Sequence, residues 1–270
     1  MEPEPPFPIT STKNGSANIT ELAKVKNGAV LIPSTAGSIA VVYNLAGVTG
    51  LKLSRELLAD IFLGKITNWN DPKLKALNPA LTLPNQPITT VHRSDGSGTT
   101  AVFTAHLSAI SLEWKEKVGT GLSVEWLTGT GIKDNAGISA QIQQATGTIG
   151  YVEYAFAKQL GLAIAILQNK ANQFISLTDE TVRAALSTIQ FSADLRGSVP
   201  DPDGANSYPI VTYSWVLAYQ KYADPTKAKA LREILQWGLT DGQKFASDLG
   251  YVPLPDEVAK KAIAVLNQIQ

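Results

Sequence analysis

Apolar residues recur along this chain in two rhythms, one that suits buried strands and one that suits helices. Residues 29–33 and 38–45, rich in Val and Ile, predict two short strands, with a short helix over 20–26 before them. Ser54 stands as an N-cap ahead of 55–63, where apolar residues repeat at helical spacing until Gly64 ends the run. Residues 68–83 are studded with Asn, Asp and Pro, as turns require. A strand over 88–92 leads at once into a Gly-rich segment, 93–100, and a helix over 99–108. Further helices are predicted at 111–118, 137–145, 178–187, 224–238 and 255–268, and strands at 148–152, 162–167 and 208–219. At 224 the signal has a mechanism, because Asp224 caps and Pro225 occupies the first turn, where its missing N–H costs nothing. Strands alternating with helices predict an α/β architecture with mixed sheets. Residues 1–18 carry four prolines and little periodicity, and read as a tail.

Composition narrows the function classes. The chain has 270 residues and is 44% hydrophobic, enough for two cores, so two domains are expected. Lys plus Arg and Asp plus Glu each total 23, without long like-charge runs, which gives no reason to expect nucleic acid or a polybasic membrane contact. The absence of cysteine removes disulfides, thiolate nucleophiles and cysteine-bound metals. The longest apolar stretches, 161–167 and 210–219, fall short of the ~20 residues that span a bilayer. The acidic, Pro-rich start offers neither a basic n-region nor an apolar h-region, so an exported protein would need a leader already removed.

Candidate chemistry concentrates in Arg93-Ser94-Asp95-Gly96-Ser97-Gly98-Thr99-Thr100. Its two glycines let successive N–H groups converge on one point, and a helix starting at Thr99 would aim unpaired N–H groups and a positive dipole end at that point. Ser97 and Thr99 add hydroxyl donors, and Arg93 adds a planar fork suited to a tetrahedral oxyanion. Asp95 is the exception, expected to hold Arg93 rather than meet a ligand. The plainer reading stays open here: strand-to-helix turns are often rich in Gly, Ser and Thr, with Asp95 as a cap and Arg93 solvated. The segment is not a P-loop, since no Gly-Lys-Ser/Thr follows at the required spacing.

The same segment resembles the anion loop of the periplasmic phosphate-binding subunits of ABC transporters. Other segments resemble that family in the same order: Gly37-Ser38-Ile39-Ala40-Val41-Val42-Tyr43-Asn44-Leu45, Leu58 through Pro72 with Lys65-Ile66-Thr67-Asn68-Trp69, Gly147-Thr148-Ile149-Gly150-Tyr151-Val152-Glu153-Tyr154-Ala155, and Leu249-Gly250-Tyr251-Val252-Pro253. The resemblance implies a two-lobed, type II periplasmic-binding-protein-like α/β fold, each lobe a mixed sheet flanked by helices. It implies phosphate held in the cleft by Arg93, Ser97, Gly98 and Thr99, with Asp95 bracing Arg93, and delivery to the membrane permease of an ABC phosphate transporter. Crossings near 43–46 and 153–155 would divide the chain into one lobe of 46–153 and another of 1–45 plus 154–270. Family members carry a further N-terminal segment, including a Ser-Asp pair whose carboxylate accepts the proton of bound phosphate. No such pair is recognisable, so an incomplete first lobe, weak binding and self-association through an exposed sheet edge are also expected. A periplasmic or extracellular location follows from the resemblance.

The other constellations carry less. His92 and His106 share no face, and Gly96-Ser97-Gly98 lacks the full nucleophile-elbow pattern, which argues against serine hydrolysis. Acidic residues show no metal-loop spacing, and no cofactor or metal is expected. Tyr208, Tyr213, Trp215 and Tyr219 alternate as in a strand and read as packing before cleft lining, while Trp114, Trp126 and Trp237 read as core. Two alternatives remain: a phosphate-ester hydrolase using the same cradle, and an interaction module of the same fold that has lost its ligand.

Overall fold

The computed structural model describes residues 28–192 and 195–270. The expected tail and the helix over 20–26 lie outside these residues.

One strand organises the fold. β1, Ala29–Tyr43, runs for 15 residues where two strands separated by a gap were expected. Its register shifts between Pro33 and Thr35, a bulge that accommodates a proline with no N–H to give the ladder. Along its first two thirds, Ala29 to Ser38, it pairs antiparallel with β9, Val211–Tyr219. From Ile39 onward its partners are β5, Thr148–Glu153, and β6, Ala163–Ile164. The exchange of partners thus falls between Ser38 and Ile39.

Beyond β5 lie β3, Thr89–Arg93, and β4, Thr130–Ile132, both running parallel, which gives the order β4-β3-β5-β1-β6. A separate three-stranded sheet joins β2, Lys52–Leu53, β7, Ile166–Gln168, and β8, Phe174–Ile175.

Both faces of the larger sheet are covered, which is why 39–43 reads as an unbroken apolar run. Ile39, Val41 and Tyr43 join a large core with Ile149 and Tyr151, closed by α1, Arg55–Phe62, and α3, Gly98–Ile110. There Phe103 stacks on Tyr151 at 4.3 Å and Phe62 meets Phe103 edge-on at 4.9 Å. Ala40, Val42, Val91 and Val152 face the other way, onto Ile138 and Ile142 of α5, Asp134–Gln144, and Ala157 of α6, Tyr154–Leu160. Around β1 and β9 pack α7, Asp179–Leu186, α8, Pro225–Leu239, and α9, Asp256–Leu266.

The cap signals at Ser54 and Asp224 hold: each side chain accepts a backbone N–H at its helix start. Ser111 and Thr178 cap in the same way, Ser111 at the start of α4, Leu112–Lys117. Other expectations do not hold. The turn region 68–83 contains a short helix, α2, Pro72–Leu77, and 162–167 divides into β6 and β7. Tyr208 and Tyr213 are packed, as expected, with the Tyr208 hydroxyl donating to the Ile39 carbonyl at 2.9 Å. Trp114 is fully buried, but Trp237 is 49% exposed, because it sits on the outer side of α8 against Phe245. Among the described residues no helix is long and apolar enough to cross a membrane.

Candidate functional site

The carboxyl end of β3 delivers Arg93 into a loop that turns directly into α3. Ser97 is the N-cap of that helix: its Oγ accepts the Thr100 N–H at 3.3 Å and its own N–H donates to the Leu122 carbonyl at 2.9 Å. The helix starts at Gly98, one residue before the sequence-based estimate, so Gly98 and Thr99 occupy its first turn. Neither N–H finds a backbone acceptor among the described residues, the normal state of the first turn of a helix. With its oxygen used as a cap, the Ser97 hydroxyl keeps its proton to donate. The structure thus brings Ser97, Gly98 and Thr99 together on one turn, with Ser97 buried and the other two half-buried.

Arg93 is tied in from several sides. Its Nε and Nη2 donate to Asp95 at 2.7 and 2.6 Å, a bidentate pair, and its Nη1 donates to Asn135 Oδ1 at 3.3 Å. The contact between Asp95 and Arg93 expected on the sequence is present. The bond from Arg93 holds the Asp95 carboxyl down at about 2, and the same pair raises the already high pKa of Arg93. The Arg93 side chain is only 8% exposed, so its charge is largely withdrawn from water yet fully partnered on one edge.

Below the loop lies a buried aromatic floor. The Tyr151 hydroxyl accepts the Arg93 backbone N–H at 3.2 Å and lies 2.7 Å from Thr100 Oγ1, which links strand end and helix start. Burial pushes the Tyr151 phenol up to about 12. Trp126 stacks on Tyr151 and on His92, at 5.7 and 4.6 Å.

The hydrolase constellation does not form. His92 Nδ1 faces the Arg93 carbonyl and His106 Nδ1 the Pro200 carbonyl, so neither partners Ser97. Burial lowers His106 to about 4, which leaves it neutral at pH 7. Among the described residues no group of His, Asp and Glu could hold a metal ion.

Asp134, Asn135, Tyr151 and Glu153 also belong to the neighbourhood and were not foreseen as site residues. Asp134 adopts φ 64 and donates its N–H to Asp95 Oδ1 at 3.2 Å. Glu153 ends β5, and its Oε1 is buried without a hydrogen-bond partner. Burial raises its carboxyl to about 7, against the opposing pull of the Tyr251 hydroxyl and the Ala155 N–H.

Comparison with known proteins shows the family and the fold. A family model described as a PBP superfamily domain matches residues 8–241. The phosphate-binding protein PstS of Haemophilus influenzae is 47% identical over 234 residues, 85% of this chain and 70% of that protein. PstS of Pasteurella multocida is 45% identical over 233 residues, covering 85% and 68%, and PstS of Methanocaldococcus jannaschii 42% over 261 residues, covering 88% and 67%. The fold is shared with a solved high-affinity periplasmic phosphate-binding protein bound with phosphate, at TM-score 0.73 and 21% identity, over 94% of this chain and 77% of that one. A human phosphate binding apolipoprotein superposes with TM-score 0.72 at 20% identity, over 94% and 78%. The family-model match spans both sheets, and the chain belongs to the PBP superfamily and, within it, to the PstS phosphate-binding proteins.

Proposed function

We propose that this chain binds inorganic phosphate at the junction of β3 and α3 and hands it to the membrane permease of an ABC phosphate transporter, without covalent chemistry. One observation carries the reading: a nearly buried, bidentately braced Arg93 stands beside a helix start whose Gly98 and Thr99 N–H groups lack backbone acceptors. The proposed ligands are Arg93, Ser97, Gly98 and Thr99. Arg93 supplies charge and a planar pair of donors, the two N–H groups and the helix dipole supply directed partial charge, and the Ser97 and Thr99 hydroxyls complete the cradle. Asp95 remains outside the ligand set, since its carboxylate repels an anion and its lone pairs are engaged by Arg93 and the Asp134 N–H.

The second part of the proposal is lobe closure about the point where β1 changes partners. Residues 46–153 form the anion-loop lobe, with two changes from the division drawn on the sequence: residues 39–45, which pair with β5 and β6, and residues 163–201 join it instead of the other lobe. Parallel pairing of β2 with β7, the bidentate Arg55–Asp201 pair at 2.7 and 2.8 Å, and the His106–Pro200 hydrogen bond support that change. Periplasmic or extracellular residence belongs to the same proposal, as does self-association. For the latter, β9 pairs only with β1 among the described strands, and Trp237, Phe245 and Leu249 are exposed nearby.

Isothermal titration with phosphate and separately with sulfate, at pH 7 and low salt, tests the reading. Saturable phosphate binding at one site is the expected result. A chain that is folded by circular dichroism and releases no heat with either anion overturns it. Light scattering on the same sample tests self-association.

A further inference from the structure

Arg93 and Asp95 lie two residues apart in a loop, and a pair so close in sequence can swing together as a unit. What stops this one comes from a different element, 40 residues away in sequence, and nothing in the Arg93 motif announces it. The first residues of α5 turn inward: Asp134 gives its backbone N–H to Asp95 Oδ1, and Asn135 Oδ1 receives Arg93 Nη1 while lying 3.5 Å from the Glu153 backbone N.

We propose that Asn135 is a positioning residue of the anion site, holding the guanidinium of Arg93 so that its two uncommitted N–H groups face the ligand. This rests on the phosphate-binding reading above. The donor count gives the proposal its content. A guanidinium has five N–H groups. Two go to Asp95 and one to Asn135, which leaves two among the described residues, one on each terminal nitrogen; the Asp134 carboxylate pairs with Nη2 only at 4.0 Å, too long for a hydrogen bond. Asp95 alone occupies the Nε edge and permits the plane to tilt about that edge. The Asn135 contact on the opposite nitrogen removes this freedom and selects which hydrogens remain outward.

Two features of α5 make sense on this account and not on a merely helical one. Its N-cap position, Lys133, makes no side-chain capping bond, and the Asn135 side chain in its first turn is directed to Arg93. Asp134 holds a left-handed backbone at φ 64, which costs a non-Gly residue on the order of 1 kcal/mol and is sustained only where surrounding contacts demand it. That conformation presents the Asp134 N–H to Asp95 and the Asn135 side chain to Arg93. An amide suits the task better than a carboxylate: it accepts from Arg93 without adding negative charge beside the anion.

The test is a double-mutant cycle on the full chain, with phosphate affinity by calorimetry and thermal midpoints for wild type, Asn135→Ala, Arg93→Lys and the double variant. Loss of one charge-assisted positioning bond is expected to weaken phosphate about tenfold in Asn135→Ala. In the Arg93→Lys background, where no fork remains to be aligned, the same change is expected to alter affinity less than about twofold. Equal loss in both backgrounds, or no loss in either, overturns the inference. Asn135→Asp is expected to keep the thermal midpoint and still lose affinity through charge repulsion. Should wild type bind no phosphate, the function proposal fails, and the positioning role is judged separately from the nitrogen-15 signals of the Arg93 terminal nitrogens. Restricted rotation in wild type that is released in Asn135→Ala sustains it, and identical spectra overturn it.

Discussion

The Tyr151 hydroxyl and Thr100 Oγ1 meet at 2.7 Å in the buried floor of the Arg93 loop, and the same hydroxyl accepts the Arg93 N–H. One phenol thereby ties the strand end that carries the guanidinium to the helix turn that carries the N–H donors. Tyr151→Phe keeps the ring stack on Phe103 and removes only this link. It is expected to cost about 1–3 kcal/mol in urea unfolding, because it leaves buried polar groups without a partner. Phosphate affinity should fall in parallel; unchanged stability and affinity would show that strand and helix are aligned without it.

Glu153 gives a pH dependence with a definite sign. Its carboxyl titrates near 4.5 in the unfolded chain and near 7 in the fold, so between these values the folded protein holds a proton that the unfolded chain has released. Its contribution to stability therefore declines as pH rises through that window and levels off above it. Glu153→Gln removes the dependence. The variant is expected to match wild type near pH 4 and to exceed it by about 3 kcal/mol at pH 8, the equivalent of the shift. Denaturant midpoints for both proteins across pH 4–9 measure this, and parallel curves would contradict it.

Trp126 is placed to report on the site. It stacks on Tyr151 and His92, and is one stacking contact removed from the hydroxyl that binds Arg93. Titration with phosphate is expected to change tryptophan emission with the midpoint found by calorimetry, and Trp126→Phe to abolish most of the change. An undiminished signal in that variant would assign the reporter elsewhere.

The bidentate Arg55–Asp201 pair fixes residues 200–201 against α1, beside the neutral His106. Asp201→Asn leaves a half-buried guanidinium with a weaker partner and is expected to cost about 1–3 kcal/mol without changing phosphate affinity. A large loss of affinity at unchanged stability would mean that this contact governs closure.

Much of this was legible in the sequence, for local reasons. Ser54 and Asp224 act on N–H groups two or three residues away, and the Arg93 to Thr99 segment spells out its proposed donors in seven residues. Asp95 bracing Arg93 is local too. What escaped was decided at a distance. Asn135 meets Arg93 across 42 residues, and a lone Asn near a helix start has many commoner explanations. The burial of Glu153 depends on Gly37 and Tyr251, which no spacing pattern connects. β1 appeared as two strands because a bulge absorbs the interruption after Pro33 without ending the strand. Trp237 was expected inside because large aromatics usually are, yet its position on α8 turns it outward.

The central claim is that Arg93 and the first turn of α3 together hold phosphate, and calorimetric titration of wild type, Arg93→Ala and Ser97→Ala tests it most directly. Loss of the charged fork is expected to weaken phosphate at least about a hundredfold and loss of the hydroxyl about tenfold, with each variant still folded. Phosphate affinity equal to wild type in a folded Arg93→Ala variant would contradict the account.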